Sequence, residues 1–408
     1  MLITHAKVLD VHTGQLSGLC CLRLHQGLIA EIAPQLDAQP GEPTLDAQGM
    51  TVMPGLIDCH VHVVASSFNL SQLATQPSAL TLLRAIPILR GMLQRGFTTV
   101  RDAGGADWSL AEAVRTQLIA GPKLFTSGKA LLQTGGHADF RDRHELLASC
   151  SCYEKLGRIG RVVDGVDACR KAVRETLLQG ASQIKIMASG GVTSASAPLE
   201  NLGFSLDEIR AIVEEARNAH TYVMAHAYTP QAIERAVRCG VRSIEHANLI
   251  DARTAQIVKE HGAYVVPTLV TYEGLFQEGV GLGLPPESLR KIHQVKDQGK
   301  ASLEILAKAG VPMGFGTDLL ASTHDMQSQE LALRAEVLGN LAAIQQATCL
   351  AAEVLNQTGH LGVVQTGAAA DLLLVRGNPV HDLNLLIGDT AQIAQVVQDG
   401  HLVERTAA

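Results

Sequence analysis

The sequence predicts an α/β fold, a (β/α)8 TIM-like barrel with a small β-sandwich formed from the N- and C-terminal segments. Three observations predict it. Apolar, β-branched runs alternate with helical stretches through the middle of the chain. The two ends differ from that middle and resemble each other, with short strand-like runs broken by glycine, such as "LITHAKVLDVHTG" and "IAQVVQDGHLVE". Nitrogen and carboxylate side chains recur at the ends of the middle strands, which is the rim where such a barrel carries its chemistry. The expected division is a composite β-domain from 1–53 and 363–408 and a barrel from 54–362.

In order, the barrel strands are read from "GLIDCHVHV", "GFTTVRDAG", "PKLFTSG", "SQIKIMASG", "TYVMAHAY", "RSIEHAN", "AYVVPTL" and "PMGFGTD". The segments between them carry helix signals. "SLDEIRAIVEEARNAH" starts on Ser205 as an N-cap with Glu208 three residues on, and "TPQAIERAVRCG" closes on Gly240. Long insertions follow strands one and three, the latter roughly from Ala130 to Gly165, and substrate-covering loops are expected there.

Composition limits the function. A chain of 408 residues with 46% apolar content fills a sizeable core. A net charge of -7 and 3% aromatic residues argue against nucleic acid as a partner, because neither a basic track nor a stacking platform is provided. No apolar run is long enough for a membrane span, and the first residues lack a secretory pattern, so a cytoplasmic protein is expected. Among the eight cysteines, Cys20 and Cys21 are adjacent and Cys150 and Cys152 lack the second half of a zinc site, so reduced thiols are expected.

The strand ends carry the chemistry. His60 and His62 lie two apart on strand one, so both imidazoles share a face and can reach one cation. Lys185 lies on strand four, His226 ends strand five, His246 ends strand six and Asp318 ends strand eight. Any one of these histidines alone reads more simply as a core or surface residue, and Asp318 also suits a helix N-cap. Five strand ends presenting donors at one rim are harder to explain that way. Lys185 sits in the apolar run "SQIKIMASGG", where an ammonium needs a partner or a chemical change. A salt bridge to Asp318 or Glu245 is its plain structural alternative.

The motifs "PGLIDCHVH", "TTVRDAGG", "QTGGHAD", "IKIMASGG", "MAHAY", "SIEHAN" and "GFGTD" resemble the metal-dependent amidohydrolase superfamily. Within it the likeness is to the Xaa-Pro dipeptidase (prolidase) and imidazolonepropionase-like branch, including its ochratoxinase-like members. The likeness runs over nearly the whole chain. It implies two divalent ions, zinc by preference, bridged by N6-carboxylated Lys185 and a hydroxide. His60, His62 and Asp318 would hold the more buried ion and His226 and His246 the other. Asp318 would also be the general acid–base, moving a proton from the bridging hydroxide to the leaving nitrogen.

Substrate contacts are expected from His137, which a Gly135-Gly136 pair brings over the site to bind the carbonyl oxygen or a terminal carboxylate, and from Tyr228, two residues past the strand-five ligand, donating to a substrate carboxylate; a loop turn and a packed aromatic are their plainer readings. The implied activity is hydrolysis of an amide or peptide bond, releasing a C-terminal, apolar amino acid from dipeptides or N-acyl amino acids. An ochratoxin-type amide of phenylalanine is one specific candidate. A deaminase or cyclic amidohydrolase of the imidazolonepropionase type is the enzymatic alternative, weakened by the presence of Lys185. A metal-free scaffold is the alternative of another class, weakened because all six ligand positions are filled. Relatives in this branch are commonly symmetric, so a homo-oligomer acting on a small molecule is expected.

Overall fold

The computed structural model describes residues 1–141, 155–194, 197–279, 281, 286–388 and 392–404. At the N-terminal end lie β1 (Leu2–Leu9), β2 (Leu16–His25), β3 (Leu28–Ala33), β4 (Thr44–Asp46) and β5 (Thr51–Pro54). The middle of the chain supplies β6 (Leu56–Val61), β7 (Phe97–Asp102), β8 (Lys123–Thr126), β9 (Ala130–Leu132), β10 (Gly160–Val162), β11 (Ile184–Met187), β12 (Val223–Ala227), β13 (Ser243–His246) and β14 (Tyr264–Val266). Near the C-terminal end are β15 (Leu372–Val375), β16 (Ile393–Gln398) and β17 (His401–Leu402).

Both chain ends share one eight-stranded sheet, in the order β17-β16-β15-β5-β1-β2-β3 with β4 beside β1. The junction is an antiparallel ladder between β15 and β5. Main-chain bonds from Ile29 to Ala368 (2.9 Å) and from Ala370 to Gly27 (2.8 Å) tie the β2–β3 hairpin back to the residues leading into β15.

The middle strands are all parallel and form a three-stranded sheet, β6-β7-β8, and a six-stranded sheet, β10-β9-β11-β12-β13-β14. Ser182 N–H, just before β11, donates to Thr126 of β8 at 2.7 Å. On the other side the 312–318 segment lies between the sheets, with Cys59 N–H of β6 donating to Phe315 at 2.8 Å and Gly314 N–H donating to Val265 of β14 at 2.9 Å. Helices alternate with these strands because their apolar stripes need a partner. Ile184, Ile186, Val223, Ala225 and Ile244 point outward and are covered by Ile209, Ile212, Ile233 and Val258. Ser205 caps the helix Leu206–Asn218 with Glu208 closing a capping box, and Thr229 caps Pro230–Arg238.

Two sequence expectations are corrected. "PMGFGTD" is not a regular strand: only Met313 forms a bridge, to Val265. Glycine at 314 and 316 gives this segment no side chains to pack on a ladder, and irregular main-chain bonds to β6 and β14 are supplemented by side chains. Buried Asp58 accepts from Thr317 N–H (3.2 Å), Thr317 Oγ1 (2.7 Å) and Gln327 Nε2 (3.0 Å), while Arg334 donates to the Gly314 carbonyl. The insertion after β8 is not loop alone, since β9 and β10 pair with each other inside it. Its residues 142–154, with Cys150 and Cys152, lie outside the described residues.

Six other cysteines are buried free thiols. Among the described residues no helix is long and apolar enough to cross a membrane.

Candidate metal centre

Strand alternation builds the first half of the site. Ile57 and Cys59 of β6 pack outward, so Asp58, His60 and His62 face the other way. His60 Nδ1 meets Glu245 at 2.7 Å and His62 Nδ1 donates to the Gly104 carbonyl at 2.8 Å. Each Nδ1 is therefore taken up by an acceptor, which leaves each Nε2 free to act as a ligand. Both Nε2 atoms converge on Asp318 Oδ1, at 3.4 Å from His60 and 3.2 Å from His62. Ligand atoms of His60, His62 and Asp318 all lie within 4.8 Å of one another, close enough to hold one ion.

The second half comes from β11, β12 and β13. In the ladders Met187 is opposite His226 and Ala227 is opposite His246, so the two histidines arrive at one level. The His226 and His246 rings are 4.7 Å apart, and His246 lies 4.9 Å from His60. Alternation alone would turn His246 away, because Glu245 already faces inward. A left-handed backbone at His246 (φ 75°) and Ala247 (φ 54°) breaks the alternation and brings both residues to the site. Asp318 is also left-handed, at φ 56°. Such backbone is uncommon for residues other than glycine and clusters where function requires it.

Lys185 is 1% exposed on β11, between these histidines and Glu245. Among the described residues it has no hydrogen bond and no ion pair within 4 Å, since Glu245 is taken by Arg101 (2.9 Å) and His60, and Asp318 by the histidines. The expected alternative of a salt bridge to Asp318 or Glu245 is thus absent. Burial pushes the Lys185 ammonium down to about 8, although Glu245 and Asp318 pull it upward.

Electrostatics suit a cation. Burial holds His226 and His246 well below the ordinary imidazole value, so both are neutral and carry a lone pair. Burial would raise Asp318, but His60 and His62 outweigh it and keep the carboxylate ionised. Glu245 is held down to about 2 by Arg101 and His60 against its burial. Neutral imidazoles, an ionised carboxylate and a buried amine without a partner fit a site for divalent ions.

Of the expected substrate contacts, His137 is stacked on His226 at 4.5 Å, and its buried Nδ1 has no hydrogen-bond partner. Tyr228 stacks on His246 at 5.1 Å, and its hydroxyl meets the Tyr272 hydroxyl at 2.8 Å. All eight sequence-derived residues therefore lie in one neighbourhood. Sequence reasoning missed Arg101, Asp58, Tyr272 and Thr268, the last of which holds His246 Nδ1 at 2.7 Å. Arg101 and Asp58 were legible only as members of "TTVRDAGG" and "PGLIDCHVH"; Tyr272 and Thr268 gave no signal.

Residues 51–403 match the amidohydrolase family. The chain is 33% identical over 349 residues to the ochratoxinase of Aspergillus niger, a match covering 82% of this chain and 72% of that protein. Among solved structures it is similar to a prolidase complexed with N-methylphosphonate-L-proline, at TM-score 0.97, 54% identity and 99% coverage of both chains. It is also similar to a Xaa-Pro dipeptidase with bound methionine, at TM-score 0.88, 29% identity and 99% coverage of both. The chain belongs to the metal-dependent amidohydrolase family, as a hydrolytic enzyme acting on carbon–nitrogen bonds.

Proposed function

We propose that this enzyme removes a C-terminal, apolar amino acid from dipeptides or N-acyl amino acids, using two divalent ions, zinc by preference. His60, His62 and Asp318 would hold one ion, His226 and His246 the other, with carboxylated Lys185 between them. The observation that carries the reading is the isolation of Lys185, buried among four imidazoles without an anionic partner. Reaction of its neutral amine with carbon dioxide releases a proton and converts a cation without a counter-ion into a two-oxygen anionic ligand. A mononuclear deaminase has no use for that anion.

When bound, the ions acidify a water and polarise the scissile carbonyl. Asp318, kept ionised by the histidines, accepts the proton of the attacking water and passes it to the leaving nitrogen. Glu245 and the Gly104 carbonyl fix the His60 and His62 rings throughout. His137 is held neutral, pushed to about 4 by burial and by Lys185, so one of its nitrogens can donate to the substrate's carbonyl oxygen without a charge. Val192, Leu199, Tyr228, Tyr272 and Leu275 form an apolar cluster beside His226 and His246, which suits an apolar side chain. The similar prolidase binds a phosphonate of proline, and the similar dipeptidase binds methionine, both in keeping with an apolar surface beside the imidazoles.

The same reading assigns β6, β7, β8, β11, β12, β13, β14 and the 312–318 segment to a closed (β/α)8 barrel over 54–362. It assigns residues 1–53 and 363–408 to a β-sandwich.

Amino-acid release from dipeptides and N-acyl amino acids varied at the C-terminal residue tests the function. Release of proline, leucine, methionine or phenylalanine is expected; no release from any member by protein loaded with zinc would sink the reading. A second prediction concerns Gly191. An alanine Cβ there would lie 2.3–2.6 Å from the ring atoms of His137, so the imidazole must move. Gly191→Ala is expected to lower kcat/KM by about 10–100-fold, as small misplacements of a contacting group do. Steady-state kinetics beside a thermal melt separate this from unfolding.

A further inference from the structure

We propose that Lys291 receives the terminal carboxylate of the substrate, an assignment that rests on the hydrolase reading above. Lys291 lies in the first turns of the helix Pro286–Ala309 and is 2% exposed. Its ammonium donates to the carbonyls of Ser194 (3.0 Å) and Ala197 (3.3 Å), and among the described residues no carboxylate lies within 4 Å. An ammonium has three donors, and a buried cation held only by neutral carbonyls lacks the counter-ion that normally offsets its desolvation.

Other buried cations are matched. Arg101 has Glu245, Arg334 has Glu330 and Arg95 has Asp325. Lys185 is the exception that carboxylation resolves. Lys291 is left over: the acidic group one turn back, Glu287, feels its charge but is bound by Arg290 at 2.7 Å, and a substrate anion would complete the ammonium.

Its position fits. Ile292, the next residue, packs in the apolar cluster with Val192, Tyr228 and Tyr272. Ser194 belongs to the loop whose Gly191 touches His137 and whose Gly190 carbonyl meets His226 Nε2 at 2.9 Å. The ammonium therefore stands one loop away from the imidazoles, close enough for its charge to reach His137, though behind burial, Lys185, Asp318 and His62. A C-terminal amino acid offers the matching pair of features, a carboxylate and an apolar side chain two bonds away. The free amine of an amino-terminal residue would be repelled from the same place.

The test compares kcat/KM for one dipeptide with that for its C-terminal amide, on zinc-loaded full-length protein. Wild type is expected to favour the acid by about 100-fold or more, the usual scale for a buried charge pair that loses one member. In Lys291→Met the ratio is expected to fall to near one, and Lys291→Arg is expected to restore most of it. A ratio near one in the wild type, or an unchanged ratio in folded Lys291→Met, would overturn the assignment while leaving the hydrolase reading intact. Should Lys291→Met not fold, Lys291→Gln is read in its place. Absence of cleavage of every acid and amide by zinc-loaded wild type defeats the hydrolase reading itself, and the carboxylate assignment with it.

Discussion

Replacing Lys185 with alanine is expected to lower kcat for amide hydrolysis by at least about 1,000-fold while leaving a folded protein. The size follows from what the side chain supplies: without the carbamate, two ions lose their common anionic ligand, and the chemistry expected of paired ions goes with it. Folding should not suffer, because the change removes a buried ammonium that has no partner among the described residues, and such a group opposes stability. Removing the ammonium and about three methylenes leaves a cavity, and that cost acts against the gain from losing the charge. Lys185→Met retains much of the volume and separates the two effects. It should be as inactive as Lys185→Ala and at least as stable as wild type in urea. A Lys185→Met variant that turns over at the wild-type rate would remove the carbamate from the account.

The second large effect is on stability. Arg101 is fully buried below the site, where it donates to the Cys59 carbonyl at 2.6 Å and to Glu245 at 2.9 and 3.1 Å. Ser243 Oγ and the Tyr222 hydroxyl accept from the same guanidinium at 3.3 Å. One side chain from β7 thus ties β6, β13 and the start of β12 together. Arg101→Met leaves the Glu245 carboxylate buried with only His60 and Ser243, and about 3–5 kcal/mol of stability should be lost at pH 7. Urea unfolding of the metal-free protein measures it.

The pH dependence follows from the sign of the shift. Glu245 is held below its unfolded value of 4.5, down to about 2, so its contribution is present above 4.5 and fades as pH falls towards 2. The gap between wild type and Arg101→Met should therefore narrow from pH 7 to pH 3. A constant gap would mean that Arg101 acts by packing alone.

Much of the site was legible because its donors obey strand periodicity or strand-end placement. His60 and His62 are two apart, Lys185 and His226 each sit in an apolar run where a polar group is conspicuous, and His246 stands at a strand end. What escaped the sequence depends on partners far along the chain. Arg101 reads as an ordinary strand charge, and Glu245 as a partner for Lys185, until β7 and β13 are brought face to face across 144 positions. The 312–318 segment reads as a strand because "PMGFGTD" is apolar, yet its main-chain bonds are irregular and it leans on Asp58, Gln327 and Arg334, whose reach no local pattern reveals. His246 joins Glu245 at the site only through a left-handed backbone, which alternation cannot anticipate. Tyr272 lies on a helix after β14 and meets His246 and Tyr228 only in the folded chain.

The most direct measurement is the metal content per chain, by inductively coupled plasma mass spectrometry on wild type and Lys185→Met exchanged into zinc-containing, bicarbonate-equilibrated buffer. Two ions per chain in wild type, falling to one or none in Lys185→Met, is the expected result. One ion per chain in a fully active wild type, or two retained in Lys185→Met, would contradict a carboxylated lysine holding a pair of ions.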